Sequence, residues 1–546
     1  MIAPMKHVDL VCVAADRDRT LERLRALGAV HLDLSGAQGA EFAAAKGDIV
    51  DAERAVRTIR KAREGMDAES LELRPREVAE VLAVDRDRDT LKSAAEDLSR
   101  EIRLYEPYGD FDPELAKKLL AEVEGLRGVA DIPETLPAMR LSKMQEKLAR
   151  VRNRIAIDDM KLAECDEGHI LRRYPKLADR MEFAAARELM ESSGAVAFVS
   201  GWIPEMRTGD LASAAHEEGW GVLLRDPADG EAPPTLVEPP RMFRPMKALF
   251  DGLGIAPAYT EADVSVPFMC YFSLFFAMLV GDGAYGAIFL AGTLAMRKKL
   301  PKSWFTLLTV FSLATIAWGV LSNTWFGAGI PAGADWPTVK WLGDVTYKNI
   351  MLVCFTIGAS HLMLARIWNG VCRLPDSTAV AEFGWAGILL FMYFVTNSLV
   401  GIFASIPSFM TWVFGVSLVA VFLFSVKPKD LKTNGISLGM LPLNIMSSLG
   451  DIISYVRLFA VGLASVKVAE NFNSMALGLL SGDKPLWLNM LLAVGTVLIL
   501  VAGHALNLAM AALSILVHAV RLNTLEFSNH KGVSWSGYAF NPFKKH

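Results

Sequence analysis

The chain has 546 residues, 52% of them hydrophobic and 21% charged, with a positive mean hydropathy, which excludes a single compact water-soluble domain. Its charge is divided: residues 1 to 262 hold 38 Lys+Arg against 49 Asp+Glu, whereas residues 263 to 546 hold 18 against 11. That split implies water around the first part and lipid around the second.

The opening MIAPMKHVDLVCVAADRD has an apolar run too short and too soon interrupted by charge for a signal peptide, so the soluble part is expected to stay in the cytoplasm. KHVDLVCVA predicts a strand, RDRTLERLRALG a helix closed by Gly28, and AVHLDL a second strand. Residues 195 to 224 repeat this order with AVAFVSGWIP, a helix through DLASAAHEEG, and WGVLLRD. Two small α/β lobes are therefore expected, near 1 to 40 and 195 to 262. Charged helical tracts at about 41 to 64, 76 to 104 and 140 to 192 lie between them and predict a long antiparallel rod holding the lobes apart. The Pro-rich run PADGEAPPTLVEPPRMFRPM is read as the connector that ends the soluble part at 262.

From 263 to 546 a polytopic α-helical membrane domain is expected. Apolar stretches occur at about 268 to 295, 304 to 325, 348 to 372, 385 to 404, 407 to 426, 440 to 480 and 488 to 521, where a helical crossing needs about 20 residues. Seven single crossings would put the basic connectors RKKLPK and KPKDLK outside, against the positive-inside rule. A hairpin turning at Gly281, Asp282 and Gly283 removes the conflict. It predicts eight crossings in the cell membrane with both termini cytoplasmic, and GAGIPAGADWP, SIPS and SGDKPLW outside. The stretches 440 to 480 and 488 to 521 are too long to stand upright and must tilt, bend or protrude.

Arg457 sits inside one of them, in ISYVRLFAVGLASVK. A cation at the bilayer centre costs at least about 2.5 kcal/mol, so it should face protein or water. Ser454, Ala460, Val461 and Ala464 share its helical face and are small enough to let another surface approach. Asp451 lies one turn to one side; Lys467, Glu470, Asn471 and Asn473 lie towards the other end. On the last helix His504, Asn507, Ala511, Ser514, His518 and Arg521 recur at steps of three and four as one polar or small stripe. No paired acid is evident in the span of Arg457, which implies that its carboxylate belongs to another chain. Snorkelling or a purely structural pair with Asp451 is the blander reading, and for Arg521 it stands level with a functional one.

PFMCYFSLFFAMLVGDGAYG (267 to 286), SYVRLFAVGLA (454 to 464), GHALNLAMAALSILVHAVRLNTLEF (503 to 527) and FNPF (540 to 543) resemble the membrane stator subunit of V-type and A-type rotary ATPases, subunit a or subunit I. MKHVDLVC, GAVHLD and VSGWIPE resemble its soluble part, and Val280 and Ala284 depart from the family's usual hairpin pattern. The resemblance implies that Arg457 is the stator arginine, with Arg521 its companion. The partner would be a proteolipid ring, the c or K ring, with mid-membrane carboxylates. Asp451, Ser454, His518 and Glu526 would line a cytoplasmic half-channel and Glu470, Asn473, His504 and Asn507 an outer one, with Ser514 a further candidate half-channel residue. The soluble part would hold E/G-type peripheral stalk subunits.

Cys12, Cys165, Cys270, Cys354 and Cys372 show no CxxC or Cys/His metal spacing and are read as small core residues. Neither a Walker A motif, a nucleophile triad nor a metal cluster stands out, so no catalysis, cofactor, metal or nucleic-acid partner is expected of this chain. Two other classes compete with the stator: an ion-coupled secondary transporter with a cytoplasmic regulatory domain, and a membrane-anchored scaffold whose arginines are structural.

Overall fold

The computed structural model describes residues 2–34, 36–64, 66, 71–122, 136–328, 347–425, 439–480 and 485–545. The chain forms two compact units, one of Met5–Asp226 with Asn541–His546, the other of Met1–Pro4 with Pro227–Phe540.

In the first unit β1 (Met5–Val13) alternates strictly over its second half, burying Val8, Leu10 and Cys12 while Val11 and Val13 stay exposed. Helix α1 (Arg17–Leu27) ends at Gly28, whose φ of 56° is the left-handed conformation that favours glycine at a helix end. The two-residue β2 (His31–Leu32) follows. The helical tracts are α2 (Ala40–Arg63), α3 (Val78–Tyr105), α4 (Pro113–Glu122), α5 (Leu141–Ala163), α6 (Glu167–Leu171) and α7 (Tyr174–Leu189). The tract expected as continuous from 140 to 192 is broken, because Asp166 caps α6 and Pro175 starts α7. Ala52, Ala55, Val56 and Ile59 of α2 pack with Val81 and Leu82 of α3 and Leu162 of α5. Beyond them Leu98 and Ile102 pack with Met144 and Leu148. Arg88 is buried in this helical part. It donates to Asp85 and to Asp159 at 3.3 Å, with Asp89 at 3.5 Å, while Arg54 reaches Asp85 at 3.5 Å.

The chain then returns through β3 (Glu191–Ser193), β4 (Val196–Pro204), α8 (Thr208–Glu218) and β5 (Gly221–Arg225). The two expected lobes are one. β4 pairs antiparallel with β1 along its whole length, from Met5↔Pro204 to Val13↔Val196, and the sheet runs β2-β4-β1-β5 with β3 on β4. Alone, the first half would hold two unpaired strands and the second a β3–β4 pair with β5 detached, which is marginal in water; pairing gives both halves one core. Residues 541–545 complete it. The Phe543 N–H donates to the Val30 carbonyl at 2.8 Å, and its ring is 3% exposed among Leu24, Val30 and Ile203.

The second unit opens with α9 (Pro245–Leu253) and continues as a multi-pass membrane bundle. Among the described residues five helices are long and apolar enough to cross: Lys302–Ser322 (α12), Lys348–Cys372 (α13), Thr378–Leu399 (α14), Leu441–Leu479 and Met490–Lys531. The shorter Ser408–Phe424 (α15) is equally apolar. The first stretch is a broken pair, α10 (Ser265–Val280) and α11 (Gly283–Ala295), bent by 118°. Gly281, with φ of 71°, ends α10, and a Cβ on Gly462 would lie 2.4 Å from the Met278 carbonyl, so this turn meets its neighbour backbone to backbone. The stretch at 440 to 480 consists of α16 (Leu441–Ile453) and α17 (Val456–Leu480). The last comprises α18 (Leu486–Ser514) followed by two π-turns, Ile515–Ala519 and Leu522–Phe527. Cys12, Cys165 and Cys354 are buried as core residues, but Cys270 and Cys372 are exposed. The connectors at 329–337, 427–432 and 481–484 lie outside the described residues.

Candidate functional site

Arg457 stands just past a tightened turn between α16 and α17. Tyr455 N–H bonds the Ile452 carbonyl at 3.1 Å and Arg457 N–H the Ser454 carbonyl at 3.3 Å, the i→i−3 pattern of a 3₁₀ segment. The Ser454 carbonyl also accepts from Arg457 Nε at 3.0 Å, which aims the other end of the guanidinium across to the last helix. There Nη2 donates to Glu526 Oε1 at 2.7 Å. The same oxygen lies 3.5 Å from Arg521 Nε. In an α-helix, residues five apart point about 140° from each other. The π-turn over Leu522–Phe527 brings positions i and i+5 onto one side, so that Arg521 and Glu526 meet.

The expectation that no acid of this chain pairs with Arg457 is thus overturned. Glu526 does so, and it lies five residues beyond Arg521, off the three-and-four spacing of the stripe. The compensation is incomplete. Two guanidiniums share one carboxylate oxygen, Glu526 Oε2 has no partner among the described residues, and no second acid lies within ion-pair distance of either arginine among them. The cluster keeps a surplus of one positive charge. It is not sealed off either: the Arg457 side chain is 21% exposed and that of Arg521 55%, and Ala460 and Ala464 of α17 are exposed beside them.

Two other polar clusters flank this one. Asn473 and His504 join through His504 Nε2 and Asn473 Oδ1 at 3.2 Å. His504 Nδ1 meets the Tyr285 hydroxyl at 2.7 Å, and the same hydroxyl accepts from Asn507 Nδ2 at 3.0 Å. Asn507 continues to Ser465, and both are buried. Tyr285 and Ser465 were not singled out from the sequence, where they read as a motif aromatic and a small helix residue. On the other side Asp451 Oδ2 accepts from His530 Nε2 at 3.0 Å, His530 Nδ1 accepts from Arg366 Nε at 3.1 Å, and Arg366 and Arg373 both hold Glu382. Asp451, His530, Arg366, Asn444, Ser447 and Ser448 line a cavity of about 330 Å³.

The remaining expected residues are local. Ser454 Oγ donates to its own helix at Gly450, Glu470 pairs with Lys467 at 2.6 Å, and Ser514 and His518 are half-buried. Asp282 is buried with both oxygens engaged. Oδ1 accepts from Ala284 and Tyr285 N–H as the cap of α11, and Oδ2 accepts from Gly327 N–H at 2.7 Å. Gly283 N–H donates to the Thr324 carbonyl, so the turn is pinned to the end of α12.

No family model matches the chain. V-type ATP synthase subunit I of Borreliella burgdorferi is 33% identical over 369 residues, which is 64% of this chain and 60% of that protein. V-type ATP synthase subunit I 1 of Treponema pallidum is 29% identical over the whole of both chains. A-type ATP synthase subunit I of Methanocaldococcus jannaschii is 23% identical over 83% of this chain and 68% of its own. The chain thus spans less than two thirds of the Borreliella protein and all of the Treponema one. These likenesses and the polytopic bundle define a class, the membrane subunits of V-type and A-type rotary ATP synthases. Within it, the relatives that this chain resembles are subunit I proteins.

Proposed function

We propose that this subunit is the stator half of the ion path, with Arg457 facing a ring of proteolipid subunits that each carry a mid-membrane carboxylate. The observation that carries this reading is the surplus charge of the Arg457–Glu526–Arg521 cluster. A cluster at membrane depth with one cation too many favours the approach of another anion, and the exposed small residues beside Arg457 leave room for one. A ring carboxylate crossing lipid is neutral, because desolvation raises its pKa; beside the arginines its charged form is favoured, and it releases its ion. Arg457 itself keeps its proton and blocks direct leakage past the ring. Glu526 holds the two guanidiniums between visits.

The half-exposed Asn473 and His504, with Glu470, belong to the outer access path. Asp451, Ser454, His518 and the cavity beside His530 belong to the cytoplasmic one. The chain crosses eight times with both termini cytoplasmic. That residues 541–545 fold in one unit with residues 5–226 supports two ends on one side and an even number of crossings. Six single crossings satisfy this only if the broken pair returns to its own side, as a hairpin does. The sheet and helical rod hold the peripheral stalk subunits, ATP hydrolysis resides in partner subunits, and the complex sits in the cell membrane.

The test is Arg457→Ala in the whole complex. Co-isolation with the proteolipid ring is retained and ATP-driven ion transport is lost. Unchanged transport, or a wild-type chain that purifies free of any ring, overturns the reading.

A further inference from the structure

The hydrogen bonds around Tyr285 dictate where a histidine keeps its proton. The Asn507 amide is oriented by the Ser465 carbonyl, which accepts from Nδ2 at 2.9 Å; the second hydrogen of that nitrogen then points at the Tyr285 oxygen at 3.0 Å. At the far end Asn473 is oriented in the same manner. Its Nδ2 donates to the Phe326 carbonyl at 2.5 Å, leaving Oδ1 towards His504 Nε2 at 3.2 Å. A backbone carbonyl can only accept, so neither amide can be turned over. Since the phenol oxygen accepts from Asn507, the one hydrogen of Tyr285 goes to His504 Nδ1, 2.7 Å away. His504 therefore accepts at Nδ1 and carries its proton on Nε2. All donors run one way, from the Ser465 hydroxyl, 3.1 Å from Asn507 Oδ1, to the Phe326 carbonyl.

A second proton on His504 has only Nδ1 to occupy. It would displace the Tyr285 O–H, which is 1% exposed and would be left a buried donor without an acceptor. Among the described residues the charged groups nearby are already engaged. On the hairpin, Asp282 is held by three N–H groups, and on α17 Lys467 and Glu470 hold each other. Neither α18 nor the 323–328 segment has an acid or a Lys/Arg.

We propose that Tyr285 is a positioning residue that holds His504 in the Nε2–H tautomer, so that its one N–H faces Asn473 and its Nδ1 is closed to the path on this side of the arginines. The purpose of the path rests on the stator reading; the tautomer does not.

¹⁵N NMR of the histidine-labelled wild-type complex is the test, and it needs no variant to assemble. In Tyr285→Phe, which removes the O–H that Nδ1 accepts, the Nδ1–H tautomer of His504 gains population; a Tyr285→Phe spectrum identical to the wild type overturns the proposal. A neutral Nε2–H signal for His504 at neutral pH supports the proposal, and an Nδ1–H or doubly protonated ring overturns it. Failure of the stator reading would leave that signal unchanged.

Discussion

Arg88 in the soluble unit and Arg457 in the membrane unit are both withdrawn from solvent, and the chain treats them in opposite ways. Arg88 and Arg54 face Asp85, Asp89 and Asp159, one acid more than the cations need. Arg457 and Arg521 face Glu526 alone, one acid too few. A buried charge placed to fix the register of helices is compensated within its own chain, since an unpaired one costs several kcal/mol. The charge left short at Arg457 is the one that the proposed ring carboxylate would complete.

The contrast can be broken most decisively at the two arginines themselves. Arg457→Ala should reduce transport to background in complexes that still assemble, whereas Arg88→Met should leave transport per assembled complex within about two-fold. Loss of transport in both would abolish the distinction. Next in size is Glu526→Gln, which leaves two guanidiniums facing a neutral amide. It should destabilise the complex by about 3 kcal/mol, a low value for a broken buried pair because Arg521 is half exposed. Adding Arg521→Gln brings the surplus back to one charge, and the thermal midpoint should recover most of the loss; if it falls further, charge balance is not what holds the site. Arg88→Met, which leaves Asp85 to Arg54 and Thr58, should cost about 2 kcal/mol, read as faster proteolysis within the helical rod.

The smallest effect concerns His31. Burial pushes its pKa below the usual value, a shift partly opposed by the Asn541 backbone. The folded state therefore binds fewer protons than the unfolded one, and the stability present above about pH 6.5 is lost as pH falls. Cleavage near Asn541 should rise between about pH 7.5 and pH 5.5 in the wild type and stay level in His31→Gln.

The membrane segments were legible because a hydrocarbon core demands long apolar runs, and the same demand made Arg457 conspicuous. The α/β grammar of the soluble part was legible too, but its pairing was not: VDLVCV and AVAFVSGW each carry an alternation that asks for a sheet without saying which sheet. The pairing of Glu526 with the two arginines escaped because periodicity at 3.6 cannot anticipate a π-turn, and the local sequence LNTLEF carries no signal for one. Tyr285 escaped because its role lies in bonds to residues more than two hundred positions away.

Phe543 fills the core of a sheet whose other strands are made near the start of translation; His31 and Asn541, which touch beside it, stand 510 positions apart. The sheet emerging from the ribosome therefore has a hole where one aromatic ring belongs, and it keeps that hole until every membrane helix has been synthesised. A chain that stalls within the bilayer lacks that ring, and the core beside Leu24, Val30 and Ile203 stays unfilled.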